Sequence, residues 1–182
     1  MALTKAERLS AVYWGRFNPP HRGHQGVIKR FKDRYDLIVA IGSAEHRNER
    51  TNPFSGSERK AMMEAYLREA GVGGVRVVTL EDGDSVTWAV DNLIRKCKPD
   101  LVLLSTERRE PLDAALAKAG VRVARFRRTG TVSSTLIRRL IATGDPAWQK
   151  LTGKSVVRLI QEFRGVERIR RVLSRSRTPS PD

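Results

Sequence analysis

The chain has 182 residues, 40% of them apolar, and a net charge of +15. That length and apolar content suit one domain with a packed core, and no apolar stretch approaches the roughly 20 residues of a membrane span. The single cysteine, Cys97, excludes an internal disulfide and any paired-cysteine metal site, and MALTKAERLS at the N-terminus lacks the apolar centre of a signal peptide, so a soluble cytoplasmic protein is expected.

In chain order, SAVYWGRF reads as a strand. RGHQGVIKRFKD follows as a helix with Val27, Ile28 and Phe31 on one face. DLIVAIGSA is a short continuous apolar run, the mark of a strand buried on both sides. SGSERKAMMEAYLREAG is a helix with marked ends, because Ser55 and Glu58 form a capping box and Gly71 is a stop. VRVVTL is a strand, SVTWAVDNLIRKC a helix, PDLVLLS a second buried strand, PLDAALAKAG a helix and VRVARF a strand. SSTLIRRLIATG is then helical, and SVVRLIQEFRGVERIRRVLS gives one helix, or two broken at Gly165.

Strand and helix alternating five times imply an α/β fold, a doubly wound, Rossmann-like parallel sheet of about five strands with helices on both faces and further helices at the C-terminus. Residues 1–174 are expected to form one domain, and SRSRTPSPD has the composition of a disordered tail over about 175–182. The surplus charge is concentrated in 122–139, with six arginines and no acid, and from Arg164 onward, with six arginines against Glu167 and Asp182. Such charge attracts nucleic acid or phosphorylated small molecules. The chain carries no zinc finger, helix-turn-helix signature or aromatic RNA-binding motif, which weighs against nucleic acid, and the C-terminal surplus reads best as a solvated face and tail.

Ligands of doubly wound sheets bind beyond the carboxyl ends of the strands, where the strand order reverses. His21 and His24, two of only three histidines, lie just past the first strand, at the mouth of the first helix. A helix N-terminus offers unpaired N–H groups and partial positive charge to a phosphate. Two imidazoles add donors there, Gly23 permits close approach, and Pro19 and Pro20 stiffen the loop. A zinc site is a weaker reading, since His46 is the only other histidine and no acidic cluster is expected nearby to complete a site.

The HRGH stretch, followed at a distance by SSTLIRR over 133–139, resembles the HxGH nucleotidylyltransferase superfamily. VYWGRFNPPHRGHQGVIK, IGSA, NPFSGSERKAMM, Trp88, SSTLIRR and GVERI, in that order, are similar to the archaeal-type nicotinamide mononucleotide (NMN) adenylyltransferases, from about Val12 to Ile169. The resemblance implies that ATP and NMN give NAD and pyrophosphate, in a protein that assembles as a homo-oligomer. It also implies Mg2+ held mainly by the ATP phosphates, with no protein metal site assigned. Another phosphorylated acceptor, such as nicotinate mononucleotide or FMN, or a cytidylyl transfer, is the alternative.

On this resemblance Gly15, Arg16, Phe17, His21, Gly23 and His24 bind ATP, with His24 nearest the reacting phosphorus. Ser133, Ser134 and Thr135 cap a helix and grip phosphate together, and Arg138, one turn on, meets the leaving pyrophosphate; Arg139 is a solvated neighbour. His21, His24 and Arg138 carry the catalysis. Arg16, Arg50 and Trp88 bind NMN, Trp88 by stacking on the pyridine, although spacing alone places it in the core. Three departures stand out. Thr51, beside Arg50 and Arg47, replaces a basic residue before NPF; Ser105 and Thr106 replace a Gly-Asn pair after the fourth strand. Glu81, Asp82, Asp84 and Ser85 stand where an Asp and an Asn precede the tryptophan.

Overall fold

The computed structural model describes residues 8–106, 111–128 and 130–174. The tail expected over 175–182 lies outside them. Five parallel strands form the sheet: β1 (Ser10–Gly15), β2 (Asp36–Ile41), β3 (Arg76–Thr79), β4 (Leu101–Ser105) and β5 (Arg122–Phe126). Their order is β3-β2-β1-β4-β5, so the chain winds outward from β1 in one direction and then returns to its other side. The switch point lies between β1 and β4, with all strand carboxyl ends at one edge.

Side chains alternate across this sheet because the strand period is two. Tyr13, Val39 and Leu103 face α1 (Arg22–Phe31), through Val27, Ile28 and Phe31, and α2 (Gly56–Glu69), through Met63 and Leu67. Val12, Trp14, Ile38 and Ala40 face the other layer, α3 (Val86–Cys97) and α4 (Leu112–Lys118). The fold class and all eleven predicted segments are therefore present, with ends one to three residues shorter, as hydrogen-bonded spans usually are.

A third cluster packs α2 against the C-terminal helices. Met62 and Tyr66 of α2 meet Ile137 and Ile141 of α5 (Ser134–Thr143), Val156 and Ile160 of α6 (Lys154–Glu162) and Ile169 of α7 (Gly165–Ser174). α2 is thus buried on two sides. Trp148 joins from a 3-10 turn, Pro146–Leu151, opened by an Asp145 cap and by Pro146 in the first turn; periodicity gave no sign of it, because 3-10 turns are too short to show one. The long C-terminal segment is two helices. The break falls at Arg164, with φ of 51°, and Gly165 begins the second helix.

GVERI, a motif without chemistry of its own, locks this layer. Arg168 donates to Glu58 Oε2 at 2.6 Å, and the same oxygen accepts Ser55 N at 2.8 Å in the capping box of α2. Burial alone would raise the Glu58 carboxyl, but Arg168 and the Ser55 N–H hold it below its ordinary value. The arginine also lies over the Phe54 ring. Glu69, at the far end of α2, accepts Lys154 N at 2.9 Å and Ser155 N at 2.7 Å, capping α6.

Candidate active site

Beyond β1 the chain turns through Arg16–Pro20, and the rest of the fold takes hold of its carbonyls. Arg59 donates to Arg16 O at 2.8 Å, Arg138 to Asn18 O at 2.8 Å, Ser134 to Pro19 O at 2.8 Å and Thr152 to Pro20 O at 2.8 Å. The Asn18 side chain pairs with the backbone of Phe54, accepting its N–H and donating to its O, both at 3.3 Å. Phe17, at φ 49°, buries its ring edge-on against Tyr13 and His24. It therefore offers a ligand its backbone only, beside Gly15, while the Arg16 side chain is exposed.

The loop delivers the chain to α1, whose N-terminus is capped by both histidines. Gly23 N donates to His21 Nδ1 at 3.1 Å, and His21 N donates to His24 Nδ1 at 3.2 Å. The two rings stack at 3.6 Å between centroids. A Cβ on residue 23 would lie 3.0 Å from the His21 ring, so this cap is built around glycine. Because each Nδ1 accepts, each neutral ring carries its proton on Nε2. Burial, followed by the charge of Arg128, pushes His21 down to about 3. Burial, then His21, then Arg128 hold His24 well below the ordinary imidazole range. Both rings are therefore neutral Nε2–H donors at physiological pH. The Nε2 of His21 is buried and has no partner among the described residues; such a donor costs about 1–3 kcal/mol unless an acceptor arrives.

His24 opens on a cleft of about 230 Å³ at the switch point, shared with Tyr13, Gly15, Arg16, Ser105 and Arg128. Ser105, where the resemblance implies a Gly-Asn pair, thus borders the cleft directly. Arg128 was not among the residues singled out from the sequence. Its signal was present, since it lies two residues past β5 in the basic run, at the edge where ligands bind.

The second motif faces a larger groove of about 730 Å³, lined by Arg50, Thr51, Thr135, Arg138, Arg139 and residues of α7. Ser133 caps α5, accepting Leu136 N at 3.1 Å. Arg138 is 8% exposed; besides Asn18 O it donates to Thr135 Oγ1 at 3.3 Å. Burial, then Arg16 and Arg50, lower its pKa to about 10, which leaves it charged at neutral pH. Arg16, Arg50 and Arg138 are thus drawn together from three parts of the chain.

Trp88 borders neither cavity. It is 40% exposed, which removes the core placement that spacing favoured. Its ring covers Gly83, at φ 59°, where any Cβ would lie 2.4 Å from the indole. Ser85 caps α3 by accepting Trp88 N at 3.1 Å. Asp82 accepts from Ser43 N at 2.9 Å and Ser43 Oγ, and Glu45 accepts Asp82 N and Gly83 N, so the loop under Trp88 is tied to the end of β2. His46 has acidic neighbours after all, Glu45, Glu49 and the distant Asp82. The fold supplies Asp82 from the loop after β3, which sequence proximity could not reveal. The group is exposed, and its carboxylates already accept protein donors.

A family model described as cytidylyltransferase-like matches residues 12–140. A nicotinamide-nucleotide adenylyltransferase of Pyrobaculum arsenaticum is 35% identical over 94% of this chain and 98% of its own. Nicotinamide-nucleotide adenylyltransferase 1 of Sulfolobus acidocaldarius is 36% identical over 90% and 95%. Among solved structures, a bifunctional NMN adenylyltransferase/ADP ribose pyrophosphatase of Francisella tularensis, complexed with AMP and a manganese ion, superposes with a TM-score of 0.68 at 19% identity. That match covers 92% of this chain and 52% of the other, so this chain spans about half the length of the bifunctional protein. Plasmodium falciparum nicotinic acid mononucleotide adenylyltransferase, complexed with NaAD, superposes with a TM-score of 0.63 at 10% identity, covering 88% and 98%. Identities this low speak for the fold alone; the family model over residues 12–140 and the two relatives at 35% and 36% identity over most of both chains place the chain in the cytidylyltransferase-like family, among the nicotinamide-nucleotide adenylyltransferases.

Proposed function

We propose that the chain joins the AMP part of ATP to nicotinamide mononucleotide, giving NAD and pyrophosphate. The observation that carries this reading is the stacked, neutral histidine pair, its Nε2–H donors ringed by arginines at the switch point. The acceptor phosphate is already a dianion, so its oxygen attacks the α-phosphorus directly. The bond from that phosphorus to the bridging oxygen breaks, and pyrophosphate leaves with the electron pair. No general base is needed; in-line positioning and neutralisation of charge on the phosphates are. His24 holds the reacting phosphate, His21 and the N–H groups of α1 its neighbours, and Arg16 bridges donor and acceptor. Ser133, Ser134, Thr135 and Arg138 receive the pyrophosphate, and Arg50 the NMN phosphate.

Among the described residues no carboxylate lines either cavity. That donor set suits Mg2+ carried in on the ATP phosphates rather than bound by the protein, and the ion's chemistry is to spread charge on those phosphates. A homo-oligomer, a cytoplasmic setting and one domain over 1–174 with a tail belong to the same reading, on the resemblance.

The acceptor is the point where a second reading has support. Asp82 already accepts twice from Ser43 and Ser85 caps its own helix, so each has only its remaining capacity with which to read the nicotinamide amide. Purified protein with Mg2+ and ATP should be offered NMN, nicotinate mononucleotide, FMN and phosphopantetheine while pyrophosphate is measured. Release with NMN is expected; release only with FMN, or only when CTP replaces ATP, replaces the reading.

Trp88 gives a finer test. A ring stacked on the pyridine contributes roughly 1–3 kcal/mol, by analogy with bases on aromatic side chains. Trp88→Ala should raise KM for NMN about tenfold with KM for ATP unchanged, and Trp88→Phe should recover part. Because the ring is exposed, Tm should hold. An unchanged KM for NMN removes Trp88 from the site.

A further inference from the structure

The large groove extends well past the residues that the reaction needs. Thr135, Arg138, Arg139, Ala142 and Thr143 occupy one face of α5, and they run roughly 12 Å from its N-terminus to its last turn at 1.5 Å per residue. Arg170, Arg171 and Ser174 of α7 form the opposite wall. With Arg50 the groove gathers, among the described residues, five guanidinium groups and no acidic side chain. Arg50, Arg139, Arg170 and Arg171 are exposed and line one cavity of about 730 Å³, where their like charges repel one another. Arg170 already spends its Nε on Ile141 O at 3.4 Å. An anion seated between the charges relieves that repulsion.

The lining also says which anion. A nucleoside needs a ring or an apolar slot for its base, but among the described residues the groove has no aromatic side chain, and Ala142 and Leu173 are its only apolar members. Hydroxyls and guanidinium groups repeated along a channel suit phosphate oxygens repeated along a chain. At the near end lie Thr135 and Arg138, where the reaction proposed above releases pyrophosphate.

We propose that the groove between α5 and α7 binds inorganic condensed phosphate, pyrophosphate and longer, with Arg139 and Arg171 as its distal ligands. The site rests on the transferase reading for its product, and on the groove alone for its anion. A chain of three phosphates reaches from Arg138 toward Arg171 and competes with ATP. Pyrophosphate, being shorter, engages the near end and leaves along the same track.

The test is calorimetric titration of the full chain with inorganic tripolyphosphate, without ATP or acceptor, with sulfate as the control anion. The wild type should bind tripolyphosphate at least about tenfold more tightly than sulfate. Arg139→Gln/Arg171→Gln should weaken it by about tenfold per lost contact with Tm unchanged. Forward turnover by the double variant should stay close to wild type, while tripolyphosphate inhibition competitive with ATP is relieved. Equal affinity of wild type and variant, or equal affinity for tripolyphosphate and sulfate, overturns the proposal. Tighter binding of a short duplex DNA, lost in the same variant, also overturns it and assigns the groove to nucleic acid. Because binding is read without turnover, a failure of the transferase reading leaves this result standing, and the reverse.

Discussion

His24→Ala lowers kcat about 10²–10³-fold with a much smaller change in KM for ATP, the expected cost of one donor aimed at charge that grows in the transition state. Alanine removes two things at once, however: the Nε2–H facing the cleft, and the Nδ1 that accepts His21 N at 3.2 Å. Two amide variants separate them. In His24→Asn the side-chain oxygen can replace Nδ1 and restore the cap, but nothing reaches the Nε2 position. In His24→Gln the longer amide can place an N–H near that position and forgoes the cap. Donation to phosphate predicts that Gln recovers part of kcat and Asn recovers none. The opposite ranking would make the pair a loop-shaping cap, worth about 0.5–2 kcal/mol of stability, and would end its catalytic assignment.

The pH dependence follows from the same geometry. His21 falls to about 3 in the fold and His24 well below its ordinary value, while both titrate near 6.5 in the unfolded chain. Folded pKa values below unfolded ones mean that the unfolded state takes up protons first. Their contribution to stability is whole above about 6.5 and is lost as pH falls from there toward about 3. The free enzyme should therefore show a Tm that declines below pH 6.5 and a kcat/KM with no histidine inflection at that pH. Replacing both rings by glutamine should flatten the Tm decline.

What the sequence made legible, and what it hid, divides by range. Segments were legible because period and capping are local signals: the buried runs of β2 and β4, the capping box at Ser55, the stripe of Val27, Ile28 and Phe31. The site's position was legible too, since a parallel sheet places ligands at strand carboxyl ends and His21 and His24 follow β1 directly. Trp88 was misleading on spacing, because α3 buries Ala89, Val90 and Leu93 and leaves Trp88, in its first turn, on the exposed side; its ring lies on Gly83 instead. The approach of Asp82 to His46 was hidden because it depends on loops meeting across the sheet edge, whereas Glu45 and Glu49 flank His46 in sequence and Arg128 follows β5 in the basic run. Arg59 was hidden for another reason. An arginine in a helix reads as solvated, although Arg59 lies on the same stripe as Met62, Met63 and Tyr66, and that placement was the available clue.

Arg59→Met should cost more stability than any other single change near the site. Arg59 is 0% exposed, and no carboxylate is hydrogen-bonded to it. Its guanidinium instead donates to four backbone carbonyls: Ser55 O at 3.1 Å, Arg16 O and Gly42 O at 2.8 Å, and Ser43 O at 2.6 Å. Burial lowers its pKa to about 10, with Asp82 and Glu45 working against the shift, so the group stays charged at neutral pH. One side chain thereby joins the carboxyl ends of β1 and β2 to the first turn of α2. Through Ser43 and Asp82 it also steadies the loop beneath Trp88. Methionine fills much of the stem's volume and leaves the carbonyls without donors, each at about 1–3 kcal/mol when buried. A loss of several kcal/mol from a total near 5–15 kcal/mol lowers Tm by about 10–20 °C in a chain of this size. Arg59→Lys keeps the charge but not the planar fork, and should recover only a minor part. In the protein that still folds, hydrogen exchange should quicken at residues 16–20 and 42–45, and both KM values should rise, because Arg16 and the Trp88 loop lose their common anchor. If Arg59→Met melts within about 2 °C of wild type, water satisfies those carbonyls in place of the guanidinium, and Arg59 is an ordinary buried stem rather than the support beneath the site.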